Sequence, residues 1–402
     1  MKKNRYKDGW KAVEYFKRFI EIVIGKIVFL FYATIGVIIG YGISVDTRTI
    51  LVTGIPGFGG GPFTFLRFLL NQLSRHYHIV CSFKSDELNP ALVNLCKDLN
   101  IKIYERPNNN GIRDVVAITR CIKDAHPCVT IVNVGTFANC FHVLSLPIPI
   151  IYYSHSIWHR PLPLWESIFL PFFRLYGNHK ILTVSSAAKY SIDNEYFPAA
   201  QFISPVKWIY NGLEDRAGNI VEYSSSVFTI VTLGSVVWYK NPELWERIAR
   251  RVVASLPRGA IRFYWAGQGE LLSSLALRND DSVKFLGFQS DPDNLLKSAN
   301  VYFQPSKFES FGLGVCEAMM FGKPVVASCV GALPELITDG VEGFLVSLEE
   351  EELMISLLVK LAQDRELCSR MGLAARKRYL NSFTEKHWLL AFEKFMKENY
   401  VR

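Results

Sequence analysis

With 402 residues, half of them hydrophobic and a fifth charged, the chain is long enough for two cores plus an appendage and too apolar for extended disorder. Its net charge of +8 comes with no basic stripe carrying interleaved aromatics and no zinc-finger spacing, which excludes a nucleic-acid partner as the leading reading. The eight cysteines form no C-x-x-C pair and no N-x-S/T sequon occurs, a pattern of free thiols in a reducing compartment.

Residues 1–48 read as a basic leader and a membrane segment. Lys2, Lys3, Arg5, Lys7, Lys11, Lys17, Arg18 and Lys26 crowd the front, a charge distribution suited to anionic lipid surfaces. They precede "IVFLFYATIGVIIGYGISV", residues 27–45, nineteen residues without a charge. At about 1.5 Å per residue this run just spans a hydrocarbon core. A buried helix of the first domain is the alternative. A cleaved signal peptide fits less well, because the charged region is long and no small-x-small site follows cleanly. The positive-inside rule would send the body outward, whereas a reduced, sequon-free body belongs in the cytoplasm. A hairpin or interfacial helix reconciles the two. The expectation is membrane attachment, through a transmembrane or interfacial segment, with the body cytoplasmic.

From Thr49 onward, short β-branched runs alternate with helical patterns. Strands are expected at 49–54, 77–83, 100–104, 129–134, 149–154 and 180–184, with helices such as 62–75 and 90–100 between them. Such alternation predicts a parallel sheet covered on both faces. The polar, turn-rich "LEDRAGNIVEYSSS", 213–226, reads as a linker. A second strand series follows at 227–234, 261–267, 283–287, 301–305 and 324–328. The fold class is therefore α/β: two Rossmann-like, doubly wound domains, 49–212 and 227–381, facing a cleft beyond the carboxyl ends of their strands.

The first strand runs into "ILVTGIPGFGGG", 50–61. Thr53, Gly54, Gly57 and Gly60 fall on a T-G-x-x-G-x-x-G spacing that resembles short-chain dehydrogenases and nucleotide-sugar epimerases. That NAD-dependent reading also needs an acidic residue after the second strand, where Asp86 is approximately placed. It further needs a helical Tyr-x-x-x-Lys pair. Tyr176 and Lys180 have the spacing, but Gly177 and Asn178 between them are poor helix formers. Further along, His155 in "YYSHSIWHR" follows a strand. His155 and His159 stand four apart, as zinc ligands might, without an acidic third ligand.

Chemistry is concentrated in "PSKFESFGLGVCEAMMFGKPVVASCVGALPELI", 305–337. A strand ends at Pro305, a polar loop carries Glu309, and a helix begins near Phe311–Gly312. Backbone N–H groups of Phe311, Gly312 and Leu313 at a helix start form an anion site. Glu317, about one turn further in, sits among apolar residues and needs a partner, which ribose hydroxyls would supply.

This stretch resembles the donor site of the family 4 retaining glycosyltransferases, which have the GT-B fold. Glu309 and Glu317 match the two glutamates separated by seven residues, and "ESFGL", "EAM", "GKPVVAS" and "GALPELITDGVEGFLV" match around them. Weaker matches extend the resemblance over about residues 50–380. "LGSVVWYKNPEL" resembles the phosphate-binding G-R-L-x-x-x-K loop, with Gly234 and Lys240 in place and Ser235 where arginine is usual. "IYNGLE" at 209–214, "YWAGQGEL" and "TVSSAAK" at 183–189 match further turns.

The resemblance implies transfer of a sugar, with retention, from a nucleotide diphosphate sugar to a hydroxyl. Glu309 would orient the sugar and add negative potential near its reacting carbon, Glu317 would hold the ribose, and Lys240 would carry the diphosphate charge. His155 would face the transferred sugar, and the backbone of Gly59, Gly60 or Gly61 would approach the diphosphate or the acceptor. No cofactor and no metal are expected, since no D-x-D pair stands in a suitable loop. Membrane attachment suggests a lipid-linked saccharide or growing polysaccharide as acceptor. A non-catalytic GT-B scaffold, supported by the arginine loss at Ser235, is the other alternative. In the resembled fold the last helix, within 382–402, crosses back to the first domain. Its amphipathic pattern of Trp388, Leu389, Phe392 and Phe395 suits a plain terminal helix equally.

Overall fold

The computed structural model describes residues 46–54, 61–108, 112–134, 148–156, 179–196, 205–218 and 227–400. The expected membrane segment at 27–45, together with Gly59, Gly60, His159 and Tyr176, lies outside them. Among the described residues no helix is long and apolar enough to cross a membrane.

The first sheet contains β1 (Asp46–Thr53), β2 (His78–Lys84), β3 (Lys102–Arg106), β4 (Pro127–Val134), β5 (Ile150–Ser154), β6 (Lys180–Thr183) and β7 (Lys207–Trp208). Every pair in it is parallel, and the order is β3-β2-β1-β4-β5-β6-β7. The second sheet contains β8 (Phe228–Leu233), β9 (Ile261–Ala266), β10 (Val283–Gly287), β11 (Val301–Gln304), β12 (Val325–Ser328) and β13 (Gly343–Val346), in the order β10-β9-β8-β11-β12-β13. It too is parallel throughout. Strand order reverses between β1 and β4 in one sheet and between β8 and β11 in the other. These are the switch points at which doubly wound sheets open a crevice.

The sequence dictates this layering directly. β5 and β8 are buried at every position, because helices cover both faces of a parallel sheet and leave no side for alternating polar residues. β1 starts at Asp46, three residues earlier than the β-branched run indicates, by pairing Asp46 with Pro127. β7 and β13 were not anticipated. β7 is two exposed residues, and β13 is four residues beginning at a glycine.

The last helix, Glu385–Asn399, follows the second domain in sequence and packs on the first. Trp388 is buried, with its ring 5.1 Å from Phe68 and 6.2 Å from Phe65 of the Gly61–Leu73 helix. Its indole N–H reaches the Tyr153 hydroxyl on β5 at 3.3 Å. The chain entering the linker is zipped to the same place, with Leu213 N–H donating to Phe383 O and Glu385 N–H to Leu213 O. One apolar cluster consequently runs from Ile50 through Phe65 and Trp388 to Phe311 and Val315. Removing a buried tryptophan leaves a large cavity, so Trp388→Ala should lower unfolding stability by about 3–5 kcal/mol. Urea or thermal denaturation reads this; an unchanged midpoint would show that the crossing helix does not hold the domains.

Candidate active site

A cleft of about 830 Å³ opens where the carboxyl ends of the two sheets meet. Among the described residues, its first-domain wall is Thr64, His155, Ser156, Val184 and Asn211. Its second-domain wall combines the turn after β8 with the loop and helix after β11. Gly234, Ser235, Lys240, Glu309, Phe311, Gly312, Leu313 and Glu317 all line it, opposite His155. Of Gly59, Gly60 and Gly61 only Gly61 is described, as the first residue of its helix. From that helix it is Thr64 that faces the cleft.

Glu309 is the most constrained of these groups. Its side chain is 6 % exposed, and one oxygen, Oε1, accepts from the Lys240 ammonium, the Gln304 amide and the Ser306 hydroxyl, the last at 3.1 Å. Gln304 is fixed in turn, because the Tyr302 hydroxyl lies 2.7 Å from its Oε1 and its own amide lies 3.0 Å from Ser306 Oγ. A buried carboxylate is tolerated when it is paired and hydrogen-bonded in this way. β8 and β11 are neighbours in the sheet, so the turn bearing Lys240 and the loop bearing Glu309 emerge side by side.

The helix after β11 begins at Leu313, with Gly312 as its N-cap at φ +98°. That left-handed conformation suits glycine, and the first N–H groups of the helix, which have no intrahelical acceptor, belong to residues that line the cleft. Gly314 is required for a different reason. A Cβ there would stand 2.3 Å from the Tyr302 hydroxyl and 2.7 Å from Leu233 O, so helix and sheet meet backbone to core. Glu317 follows on this helix, 16 % exposed. Ribose was expected to be its partner, but the protein supplies one: Arg216 Nη2 donates to Glu317 Oε1 at 3.1 Å. Burial pushes the Glu317 carboxyl up from its ordinary range, and Arg216 draws it back.

His155 leaves β5 and lies 2.6 Å, Nε2 to Oδ1, from Asn133 at the end of β4. Its ring packs 4.5 Å from Phe65 and 5.1 Å from Tyr153. Burial pushes its pKa down to about 3, so the imidazole is neutral at physiological pH and acts as a hydrogen-bonding group, not a cation. Asn133, Asn211, Gln304 and Arg216 were missed as site residues from sequence, although Asn211 sits in the quoted "IYNGLE". Ser185 of "TVSSAAK" bridges the domains. It donates to Ser310 O at 2.6 Å and accepts from Ala188 N–H as a helix cap.

Two buried imidazoles make stability pH-dependent. His155 and His179 have ordinary values of 6.5 and are pushed down to about 3 and about 4 by burial. The unfolded chain thus binds more protons than the folded one across this window. The stability they contribute is complete above pH 6.5 and is lost as pH falls toward the folded values, on the order of 1 kcal/mol per pH unit for each ring. Thermal melts from pH 7 to 4.5 should show this slope, and replacing both rings with asparagine should flatten it. An equal slope in that variant would assign it to other groups.

Among the described residues, no group of three or more His, Cys, Asp or Glu could hold a metal ion. The described residues do not form the dehydrogenase geometry either. Lys180 opens β6 instead of lying on a helix, and Asp86 is exposed on a short 3₁₀ turn.

Residues 222–378 match the family described as glycosyl transferases group 1. A D-inositol 3-phosphate glycosyltransferase of Streptomyces griseus is 38 % identical over 144 residues, which are 35 % of this chain and 30 % of that protein. The UDP-Gal:alpha-D-GlcNAc-diphosphoundecaprenol alpha-1,3-galactosyltransferase of Escherichia coli is 29 % identical over 166 residues, 40 % of this chain and 42 % of that protein. The chain thus spans less than half the length of these curated relatives. The crystal structure of Anabaena Alr3699/HepE in complex with UDP and glucose superposes with a TM-score of 0.69 at 17 % identity, covering 87 % of this chain and all of that one. The shared fold is GT-B, two Rossmann-like domains about a cleft.

Proposed function

We propose that this chain, whose residues 222–378 match glycosyl transferases group 1, moves a sugar from a nucleotide diphosphate sugar to an acceptor hydroxyl, with retention of configuration and without a metal. The observation that carries the reading is the convergence of Lys240, Glu309, Glu317 and the open helix start of Gly312–Leu313 on one cleft.

The chemistry asks little covalent work of the protein. The bond from the sugar's anomeric carbon to the β-phosphate oxygen breaks, and a bond from that carbon to the acceptor oxygen forms. The acceptor proton passes to the departing phosphate oxygen on the same face, which conserves configuration. Negative charge grows on the diphosphate, where Lys240 supplies a cation and the helix start supplies N–H dipoles. Glu309 places a negative charge near the electron-poor carbon, and Glu317 takes the ribose hydroxyls. Neutral His155, braced by Asn133 and Phe65, hydrogen-bonds the sugar from the opposite wall.

The acceptor is a saccharide, carried on lipid or in a growing polysaccharide. The diphosphoundecaprenol substrate named for the Escherichia coli relative and the uncharged run at 27–45 support a membrane-bound acceptor and a membrane-associated, cytoplasmic body. A panel of nucleotide sugars scored by thermal shift tests the donor. A ligand at about a hundred times its Kd adds about 2.7 kcal/mol to stability. Transfer of radiolabel from the binding donor to membrane extract, with and without chelator, tests acceptor and metal. Absence of any shift or transfer would leave the scaffold reading in its place.

A further inference from the structure

Glu317 finds its protein partner in the segment that joins the two domains. Arg216 donates Nη2 to Glu317 Oε1, and its Nε and Nη2 reach both carboxylate oxygens of Asp293 at 3.0–3.2 Å. Its backbone N–H lies 3.4 Å from Met320 Sδ, at the far end of the helix that carries Glu317. Neighbouring Asp215 is gripped by Arg376 at 2.6 and 2.8 Å. Leu213, three residues before Arg216, is zipped to Phe383 and Glu385. Within four residues the interdomain segment is therefore tied to the donor-side helix, to the Arg365–Ser382 helix and to the start of the crossing helix.

Glu317 borders the cleft, whereas Arg216 is not among the described residues that line it. The guanidinium engages one of the two carboxylate oxygens, Oε1. The other charged or titratable groups facing Glu317 are unhelpful to it. Asp293 repels it, and Cys316 and Tyr302 are buried groups whose pKa values are raised well above ordinary. Among the described residues Arg216 is the cation that acts on it.

We propose that Arg216 is a positioning residue of the donor site. It holds Glu317 as an oriented carboxylate, with one oxygen toward the linker and the other left for the ribose hydroxyls of a nucleoside diphosphate sugar. The ribose pocket and the interdomain segment thereby share one guanidinium. This inference rests on the glycosyl-transfer reading of the cleft. Its chemistry follows from burial. A carboxylate on an apolar helix takes up a proton or swings away once its cation is gone, and a protonated acid accepts hydrogen bonds poorly from hydroxyls.

Calorimetric titration of the full chain with UDP, ADP and GDP at pH 5 to 8 tests it. The nucleotide bound most tightly by the unaltered chain becomes the probe. Arg216→Ala should weaken it about tenfold at pH 7, and the loss on acidification should begin at a higher pH than in the unaltered chain. Titration of the nucleotide's own phosphates is common to both proteins and cancels. Arg216→Lys should restore the pH profile while recovering only part of the affinity, which a merely structural role would not produce. In a Glu317→Gln background, where there is no charge to hold, Arg216→Ala should change affinity less than twofold. Unaltered affinity and pH profile in Arg216→Ala overturn the inference, as does an equal loss in the Glu317→Gln background, which would place Arg216 on the donor itself. Failure of the unaltered chain to bind any of the three nucleotides is a separate result, and removes the glycosyl-transfer reading together with the inference.

Discussion

Lys240→Ala should lower kcat/KM for the nucleotide sugar by about 10²–10³-fold, the cost of losing one preorganised stabiliser of a developing oxyanion. Steady-state kinetics at several donor concentrations reads it. Both donor affinity and turnover should fall, because the diphosphate is charged before the reaction and more so during it. Two observations make the expected effect large. Lys240 is the one lysine or arginine among the described residues lining the cleft. Ser235 stands where the resembled family has a second cation, so that position does not share the load. Retention of full activity in Lys240→Ala would mean that the diphosphate is neutralised by other groups and that the cleft is misassigned. The hydrogen bond from Lys240 to Glu309 adds a second consequence. The ammonium is shared with the Glu309 carboxylate, and a diphosphate in the cleft would be a competing anion for it.

Glu309→Gln should separate binding from chemistry. The amide keeps the size of the side chain and an oxygen for Ser306 and Gln304, so donor affinity should stay within a few-fold. The negative charge is lost, and turnover should fall by about 10³-fold if that charge supports the electron-poor anomeric carbon. Single-turnover measurements at saturating donor read the chemical step directly. A loss confined to KM would reassign Glu309 to uniform substrate binding. Glu309 is almost fully buried and its Oε1 accepts from three donors, which fixes the side chain in one place. The amide of Gln304 and the hydroxyl of Ser306 keep it there even where Lys240 turns to another anion.

Much of this site was legible in the sequence because its parts are consecutive. The stretch from Glu309 to Glu317 carries a loop, a glycine N-cap and a helix within nine residues. Strands such as β5 and β8 were legible because parallel strands covered on both faces are unbroken apolar runs. β7 and β13 carry no such run. What local pattern does not show is partnership across the sheet. Lys240 and Glu309 are 69 residues apart and meet because β8 and β11 are adjacent at the switch point. Arg216 is one arginine in a polar, turn-rich linker, without periodicity, and its carboxylate lies 101 residues away. The crossing of the last helix was equally undecided by an amphipathic pattern, since a helix stripe says that it is buried and not against which domain. Trp388 against Phe65, Phe68 and Tyr153 supplies that answer.

The most direct test of the account is proton NMR of the purified chain mixed with the nucleotide sugar that stabilises it and with membrane-derived acceptor. The account predicts release of the nucleoside diphosphate, first-formed product with the anomeric configuration of the donor, and loss of both signals in Lys240→Ala and Glu309→Gln. Inverted product, or nucleotide release that continues unchanged in both variants, would contradict it.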